Sequence, residues 1–202
     1  MIKTVRLLVV ILLATALSTL LVACRSYDFA ERPAAEMNVR LDDLGDGWAL
    51  DVEVDSSDEG DGGMAAGIVD LVQASGAQTW LVRLYTQEDA TIAGMVMVFP
   101  NAQAAEEAMA STPVADIMGT PKVVAELYAQ VEGVVTGDEG EPVPVVLEEQ
   151  EQGVGDEALL TWVEGGDSYA LVVRKLNVIS AVVGITTKDG RDLAPAIADR
   201  IQ

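Results

Sequence analysis

Residues 168–186, which read SYALVVRKLNVISAVVGIT, decide the fold. Two runs rich in valine and isoleucine, Ser168–Arg174 and Val178–Thr186, flank the short break Leu176-Asn177. Branched and aromatic side chains favour extended backbone, and two such runs separated by a tight turn are typical of a β-hairpin. The stretch therefore predicts the two strongest strands of the chain, joined as an antiparallel pair.

The same order of elements occurs earlier in the chain. Residues 79–86 and 92–99 predict another hairpin, joined through Gln87-Glu88-Asp89, and residues 102–110 predict a helix with Asn101 as its N-cap. The later hairpin is likewise followed by a predicted helix, from about Asp192 to Ile201. Strands joined by hairpins imply an antiparallel sheet.

The other predicted elements complete an α+β fold. Further strands are predicted at 39–48, which ends in a Gly-Asp-Gly turn, and at 50–54, 143–147 and 158–163; further helices are predicted from Met64 and from Thr120. We expect a mainly antiparallel sheet of six to eight strands with helices packed on one face. The repeated order of elements allows an arrangement in two related strand-strand-helix halves.

The composition excludes several classes of function. The 202 residues include 12 Lys+Arg, 33 Asp+Glu, no His and one Cys, and the formal net charge is −21. Without histidine the chain has no Ser-His-Asp triad, no Cys-His pair and no His-ligated metal site. Such an acidic chain has no basic face for phosphates, so we expect no nucleic-acid partner.

The N-terminus resembles the export signal of bacterial lipoproteins. Lys3 and Arg6 precede the apolar run 7–21, which is shorter than the roughly 20 residues that a membrane-spanning helix needs. The motif Leu21-Val22-Ala23-Cys24 follows and is similar to a lipobox. The resemblance implies that Cys24 carries a covalent diacylglycerol and fatty acyl group, and that cleavage falls just before it. No other cofactor is expected.

The chain is expected to divide into three parts. Residues 1–23 are the predicted signal peptide, residues 24–38 the lipidated cysteine with a polar tether, and residues 39–202 a single extracytoplasmic domain. Removal of Lys3 and Arg6 with the signal leaves a formal charge of −23. We expect a lipid-anchored protein of the cell envelope on the extracytoplasmic side of a membrane. Arg25 after the cysteine permits the outer membrane as well as the plasma membrane.

Four segments carry a second resemblance. They are Gly45-Asp-Gly-Trp48, Val154-Gly-Asp-Glu-Ala158, Val172-Val-Arg-Lys-Leu-Asn-Val178 and Ile197-Ala-Asp-Arg-Ile201. The pattern is similar to small lipoprotein and sensor-type domains of actinobacteria and related phyla, including the extracellular domain of mycobacterial receptor kinases. That pattern usually has Gly where Leu176 stands, and often a disulfide, which one cysteine cannot form. The resemblance implies the fold class and a binding role.

An acidic, glycine-rich loop at residues 55–63 is the candidate metal site. Asp55, Ser57, Glu59 and Asp61 stand at alternating positions, with Gly60 at the sixth place, as in the early part of an EF-hand calcium loop. The twelfth place requires a bidentate Glu and is Ala66. Calcium is therefore a weak candidate, and a solvated loop is the favoured interpretation.

Two kinds of charged cluster suggest other sites. Asp156 and Glu157, after the acidic run 148–151, make a carboxylate-dependent hydrolase the alternative function, provided that two carboxylates face one cleft. Arg174 and Lys175 form an adjacent basic pair that suits an anionic ligand or an acidic partner segment. The competing interpretation is that Arg174 pairs with Asp156 or Glu157 across the sheet.

These observations favour one function over two alternatives. We expect a lipid-anchored binding or accessory protein without catalytic activity, for example a subunit of an envelope complex. The strongly acidic surface favours a basic protein partner. A calcium-binding surface lipoprotein and a carboxylate-dependent hydrolase remain the alternatives.

Overall fold

The computed structural model describes residues 29–30, 32–57, 64–119, 146–150 and 153–202. The predicted signal peptide with Cys24, the acidic residues Glu59 and Asp61, and the predicted helix from Thr120 lie outside these residues.

Seven strands of the described chain form a single antiparallel sheet. Their order across the sheet is β1-β2-β3-β7-β6-β5-β4. The strands are β1 (Ala49–Asp55), β2 (Thr79–Gln87), β3 (Ala90–Val98), β4 (Val146–Gln150), β5 (Glu157–Val163), β6 (Tyr169–Lys175) and β7 (Val178–Ile185). The predicted α+β class with a mainly antiparallel sheet is confirmed.

Both predicted hairpins form, and they meet at the centre of the sheet. β2 pairs with β3 and β6 pairs with β7, each through a two-residue turn. β3 then pairs with β7 along its length, from Thr91 opposite Ile185 to Val98 opposite Val178. The valine- and isoleucine-rich run 168–186 therefore lies at the centre of the sheet, where both faces are buried.

Short helices cover this sheet. They are α1 (Ala34–Met37), a 3-10 helix (Leu41–Asp43), α2 (Met64–Ala74), α3 (Ala102–Met109), α4 (residues 112–119) and α5 (Ala194–Arg200). The predicted N-cap of α3 is confirmed, because the Asn101 side chain accepts a hydrogen bond from the Ala104 backbone N–H at 2.8 Å. No helix among the described residues has the length and apolar character to cross a lipid bilayer.

Helices pack on both faces of the sheet, and the expectation of one covered face is wrong in this respect. α1 and α5 cover one face, called the α5 face, while α2, α3 and α4 cover the other, called the α3 face. The reason lies in the central strands, where consecutive residues such as Leu171, Val172 and Val173 are all fully buried. Side chains alternate between faces along a strand, so continuous apolar runs require cover on both sides.

The two strand-strand-helix units therefore share the order of their elements but differ in the face of the sheet that their helix covers. The units are β2–β3–α3 and β6–β7–α5, and their helices close on opposite faces. A rotation that exchanged the two hairpins would leave both helices on one face. The repeat seen in the sequence is a repeat of element order.

The boundary between tether and domain lies earlier than predicted. Residues 24–38 are predicted as a tether, yet residues 34–37 form α1, and Met37 and Asn38 are fully buried. The predicted strand at 39–48 is also wrong, because a 3-10 helix occupies Leu41–Asp43. The segment lacks apolar periodicity because it packs by single side chains, Met37, Val39, Leu44 and Trp48, and not along one continuous face.

Asn38 fixes this segment to the sheet. Its amide nitrogen Nδ2 donates to the carbonyl oxygens of Leu81 and Gly94, each at 3.2 Å, and its Oδ1 accepts from the Val39 backbone N–H at 2.7 Å. A Cβ atom at position 94 would lie 2.6 Å from Asn38 Oδ1, closer than packed atoms approach. Gly94 is therefore required for the N-terminal segment to lie this close to β3.

We expect Asn38→Ala to lower the free energy of unfolding by about 1–3 kcal/mol, because it removes two buried hydrogen bonds to carbonyl oxygens and the acceptor of the Val39 backbone N–H. Chemical denaturation monitored by tryptophan fluorescence measures the change. The control is Glu36→Ala in the preceding helix α1, which removes an exposed side chain and should change stability by less than about 0.5 kcal/mol.

Gly94→Ala tests the contact from the other side. It should destabilise the protein by about 1–3 kcal/mol through overpacking against Asn38. In the Asn38→Ala background the same substitution should cost less, by at least about 0.5 kcal/mol, because the colliding Oδ1 is gone. Additive effects of the two substitutions would contradict the proposed contact.

Candidate functional site

Both residues of the predicted anion or partner contact, Arg174 and Lys175, form intramolecular polar contacts. Arg174 lies opposite Glu157 in the β5–β6 register, with its Nε 3.5 Å from Glu157 Oε2 and its Nη1 3.4 Å from Asp156 Oδ2. The Lys175 ammonium donates at 2.7 Å to the carbonyl oxygen of Ala198, in the last turn of α5. Arg174 therefore forms the ion pair across the sheet that was the competing interpretation of this residue.

The β6–β7 turn explains why these residues occur together in the sequence. Leu176 has φ +55°, a left-handed conformation that favours glycine, and glycine is the residue that the sequence resemblance leads one to expect there. The Leu176 backbone N–H donates to Asp156 Oδ2 at 2.7 Å, which ties the turn to the start of β5. Two of the resembling segments, 154–158 and 172–178, thus meet in one structural unit.

The carboxylates behind the hydrolase alternative, Asp156 and Glu157, belong to one ion-pair cluster. Asp156 and Glu157 both contact the Arg174 guanidinium. A shallow depression of about 340 Å³ is lined by Gln150, Glu157, Ala158 and Leu159, and Glu157 supplies the carboxylate among these residues. Acid/base hydrolysis requires two carboxyl groups about 5–9 Å apart across a cleft. The part of the chain that the structure describes offers one carboxylate there.

Of the candidate calcium ligands Asp55, Glu59 and Asp61, Asp55 is the one that lies within the described residues. Asp55 ends β1, and its Oδ1 accepts hydrogen bonds from the Ser57 hydroxyl at 2.5 Å and the Ser57 backbone N–H at 2.7 Å. These two bonds lower the pKa of Asp55, the hydroxyl contributing most. Among the described residues, no group of three or more His, Cys, Asp or Glu side chains could hold a metal ion. The calcium hypothesis remains a prediction.

A second depression lies at the opposite end of the sheet from the β6–β7 turn. We call it the terminal depression; it encloses about 380 Å³ between Gln87, Glu88, Asp89, Ala90, Thr186 and Thr187. Thr186 has φ +55° and Glu88 φ +52°, and for a β-branched residue such as Thr186 this conformation is a true outlier. Strained backbone of this kind often marks binding sites, which makes the terminal depression the candidate site of this domain.

Polar contacts hold the terminal depression in shape. The Thr186 hydroxyl donates to the Asp89 carbonyl oxygen at 2.8 Å, and the Thr186 backbone N–H donates to Ser168 Oγ at 3.2 Å. The exposed carboxylates of Glu88 and Asp89 lie at its rim. The depression can therefore offer hydroxyl, carbonyl and carboxylate oxygens to a polar or cationic group.

The terminal depression has no clear signal in the sequence, for an identifiable reason. Gln87-Glu88-Asp89 is correctly predicted as a turn, but nothing in the sequence shows that the end of β7 lies beside it. That contact follows from the pairing of β3 with β7, which joins residues about 90 positions apart. Two adjacent threonines at a strand end are the only local signal.

Basic side chains across the described chain are all occupied by internal partners. Eight lysines and arginines lie within the described residues. The pairs are Arg32 with Gln202, Arg40 with the Glu36 carbonyl, Arg83 with Glu53, Arg174 with Asp156 and Glu157, Lys175 with the Ala198 carbonyl, Lys188 with Asp167, Arg191 with the Trp162 ring, and Arg200 with Asp43. The acidic residues, which outnumber them, dominate the accessible surface.

The Arg200–Asp43 pair is the most complete of these contacts. Arg200 donates from Nη1 to Asp43 Oδ2 at 2.8 Å and from Nη2 to Oδ1 at 2.5 Å, and Nη1 also reaches the Asn38 carbonyl oxygen at 3.1 Å. Burial raises the pKa of Asp43, but the hydrogen bonds from Arg200 and from the Arg40 backbone N–H outweigh it, so the pKa lies below its usual value. The pair joins α5 to the N-terminal segment.

The chain is similar to known proteins at the level of solved structures. No family model and no curated protein matches the chain. The extracellular domain of PknH from Mycobacterium tuberculosis is similar to this chain, with a TM-score of 0.46 and 10% sequence identity over 83% of this chain and 92% of that one.

We expect the contribution of Asp43 to stability to depend on pH in a defined direction. Its pKa is lower in the folded than in the unfolded chain, so the contribution is fully present above the unfolded value of about 3.9 and is lost as the pH falls through the folded value. The difference in unfolding free energy between the wild type and Asp43→Asn should be about 1.5–3 kcal/mol near pH 7. It should shrink below about pH 4.

Denaturation at a series of pH values measures this difference. The control is Asp42→Asn, which removes the same charge from an exposed neighbour in the same 3-10 helix. The control cancels the general effect of reducing the net charge. A loss for Asp43→Asn that equals the control, or that stays constant down to pH 2, would contradict the role of the pair.

Proposed function

We propose that the protein is a lipid-anchored extracytoplasmic binding or accessory protein without catalytic activity. The observation that carries this proposal is Leu21-Val22-Ala23-Cys24 after an apolar run of signal-peptide length, with the single cysteine of the chain at the position that lipidation requires. The anchor would hold the domain at the extracytoplasmic side of a plasma or outer membrane.

The charge distribution supports a protein partner with a basic face. Every basic side chain of the described residues has an internal partner, so the acidic excess faces solvent. Both edge strands also carry acids, Asp51, Glu53 and Asp55 on β1 and Glu148 and Glu149 on β4. Charges on sheet edges oppose uncontrolled strand pairing, which favours recognition through other surfaces.

Binding fits the candidate sites better than hydrolysis does. Arg174 contacts both Asp156 and Glu157, which gives these carboxylates a structural role. The terminal depression is shallow and polar and carries strained backbone, as recognition sites do. At the depression lined by Glu157, the hydrolase alternative would require a second carboxylate from outside the described residues. The calcium alternative depends on Glu59 and Asp61, which also lie outside the described residues.

We expect Cys24→Ser to abolish membrane anchoring, because a serine hydroxyl cannot take the thioether-linked diacylglycerol. The wild-type protein should partition into the detergent phase of Triton X-114 and carry the mass of the lipid. The variant should stay in the aqueous phase without that mass. The matched control Ser26→Ala changes a residue next to the motif and should behave as wild type. An unchanged partition of Cys24→Ser would rule out the lipoprotein assignment.

We expect partner binding to weaken with salt if the acidic surface steers it. Long-range attraction is screened over a Debye length, which falls from about 14 Å at 50 mM to about 4 Å at 500 mM salt. The association rate of a partner captured from solubilised membranes should therefore fall steeply over that range, while its dissociation rate changes little. A captured partner that is acidic, or whose association rate ignores salt, would show that the charge serves solubility alone.

A further inference from the structure

The N-terminal segment joins the domain at one defined point. The backbone N–H of Ala30 donates to Asn177 Oδ1 at 2.9 Å. Asn177 is itself buried and held, because its Nδ2 donates to the Phe99 carbonyl at 2.9 Å and its own carbonyl accepts from the Phe99 backbone N–H at 2.8 Å. From Arg32 onward the chain runs into α1 and the Asn38 contacts. The attachment point is thus part of the folded domain.

This point lies at one end of the sheet. Asn177 is in the β6–β7 turn, where Val98 faces Val178 and where β2 begins. The terminal depression lies at the other end, where Thr91 faces Ile185. From Asn177 to Thr186 the strand β7 rises about 3.3 Å per residue, so the two ends are about 30 Å apart.

The chain between the lipid site and the attachment point is too short to span that distance. Six residues lead from Cys24 to Ala30, and a fully extended chain of that length reaches at most about 20–22 Å. With the terminal depression against the bilayer, Ala30 would stand about 30 Å above it. Lipidation at Cys24 and docking of Ala30 therefore exclude that orientation.

We propose that the end of the sheet that carries the β6–β7 turn lies nearer to the phospholipid headgroups, and that the terminal depression faces away from the membrane. The inference rests on lipidation of Cys24, which is itself proposed above. Phe29, next to the attachment point, is 48% exposed, and an apolar aromatic side chain suits the boundary between headgroups and acyl chains. Asp156 and Glu157 at this end are paired with Arg174, which limits their repulsion from anionic lipid.

Single-cysteine labelling tests the orientation, because the chain has no cysteine other than Cys24. Gln78→Cys and Glu88→Cys place a donor dye at two exposed positions that flank the two ends of β2, about 30 Å apart. The lipidated full-length protein is reconstituted into phosphatidylcholine vesicles that contain an acceptor dye on a headgroup. The same labels on the Cys24→Ser protein give the baseline of each position.

We expect energy transfer at position 78 to exceed that at position 88 by at least about twofold, because the two positions differ by about 30 Å in height. A Gly/Ser insertion of 12 residues between Ser26 and Tyr27 should remove most of the difference, since it releases the limit on reach. Equal or reversed transfer in the protein without the insertion would overturn the orientation. A difference that survives the insertion would overturn the role of the short tether.

The experiment separates this inference from the proposed function. Vesicle flotation reports anchoring by itself: protein that fails to float with the vesicles contradicts lipidation at Cys24. Protein that floats and shows equal or reversed transfer contradicts only the orientation.

Discussion

The close packing of Asn38 against Gly94 is the contact on which the arrangement of the described chain depends. With only a hydrogen at position 94, the N-terminal segment approaches the sheet closely enough for one amide to bond to carbonyls of two strands. This packing contact brings Val39 close to Tyr85, whose hydroxyl donates to the Val39 carbonyl oxygen at 2.7 Å. It also lets Arg200 bond to both the Asn38 carbonyl and Asp43, which ties the last helix to the first segment. A side chain at position 94 would push the N-terminal segment away from the sheet.

A second constraint is the scarcity of positive charge. The described residues contain eight basic side chains, and the fold uses each of them to satisfy a carboxylate, a carbonyl oxygen, a side-chain amide or an aromatic ring. Ion pairs at a surface contribute little stability, so their main effect here is to fix segments relative to one another. The consequence for recognition is that the surface is acidic in both composition and arrangement. A partner that the protein attracts over distance must carry the opposite charge.

The candidate site illustrates the limit of local reasoning. Arg174 and Lys175 stand out in the sequence because basic residues are rare. Their rarity does not show whether their charges are paired within the protein or available to a ligand. The β5–β6 register decides this by setting Glu157 opposite Arg174. The terminal depression, by contrast, has no motif in the sequence, since it is made by a turn and a strand end that β3–β7 pairing brings together. Its strained residues, Glu88 and Thr186, are ordinary residues with unusual backbone angles.

The sequence by itself determined the antiparallel α+β class, both central hairpins, the Asn101 cap and the absence of histidine chemistry, because periodicity, turns, caps and composition are local properties. The tertiary structure decided that helices cover both faces, that Met37 and Asn38 belong to the core, and which charges are paired. The physical reason is that burial and pairing depend on contacts between residues far apart in the chain. Asn38 and Gly94, which are 56 positions apart, carry no pattern that announces their contact.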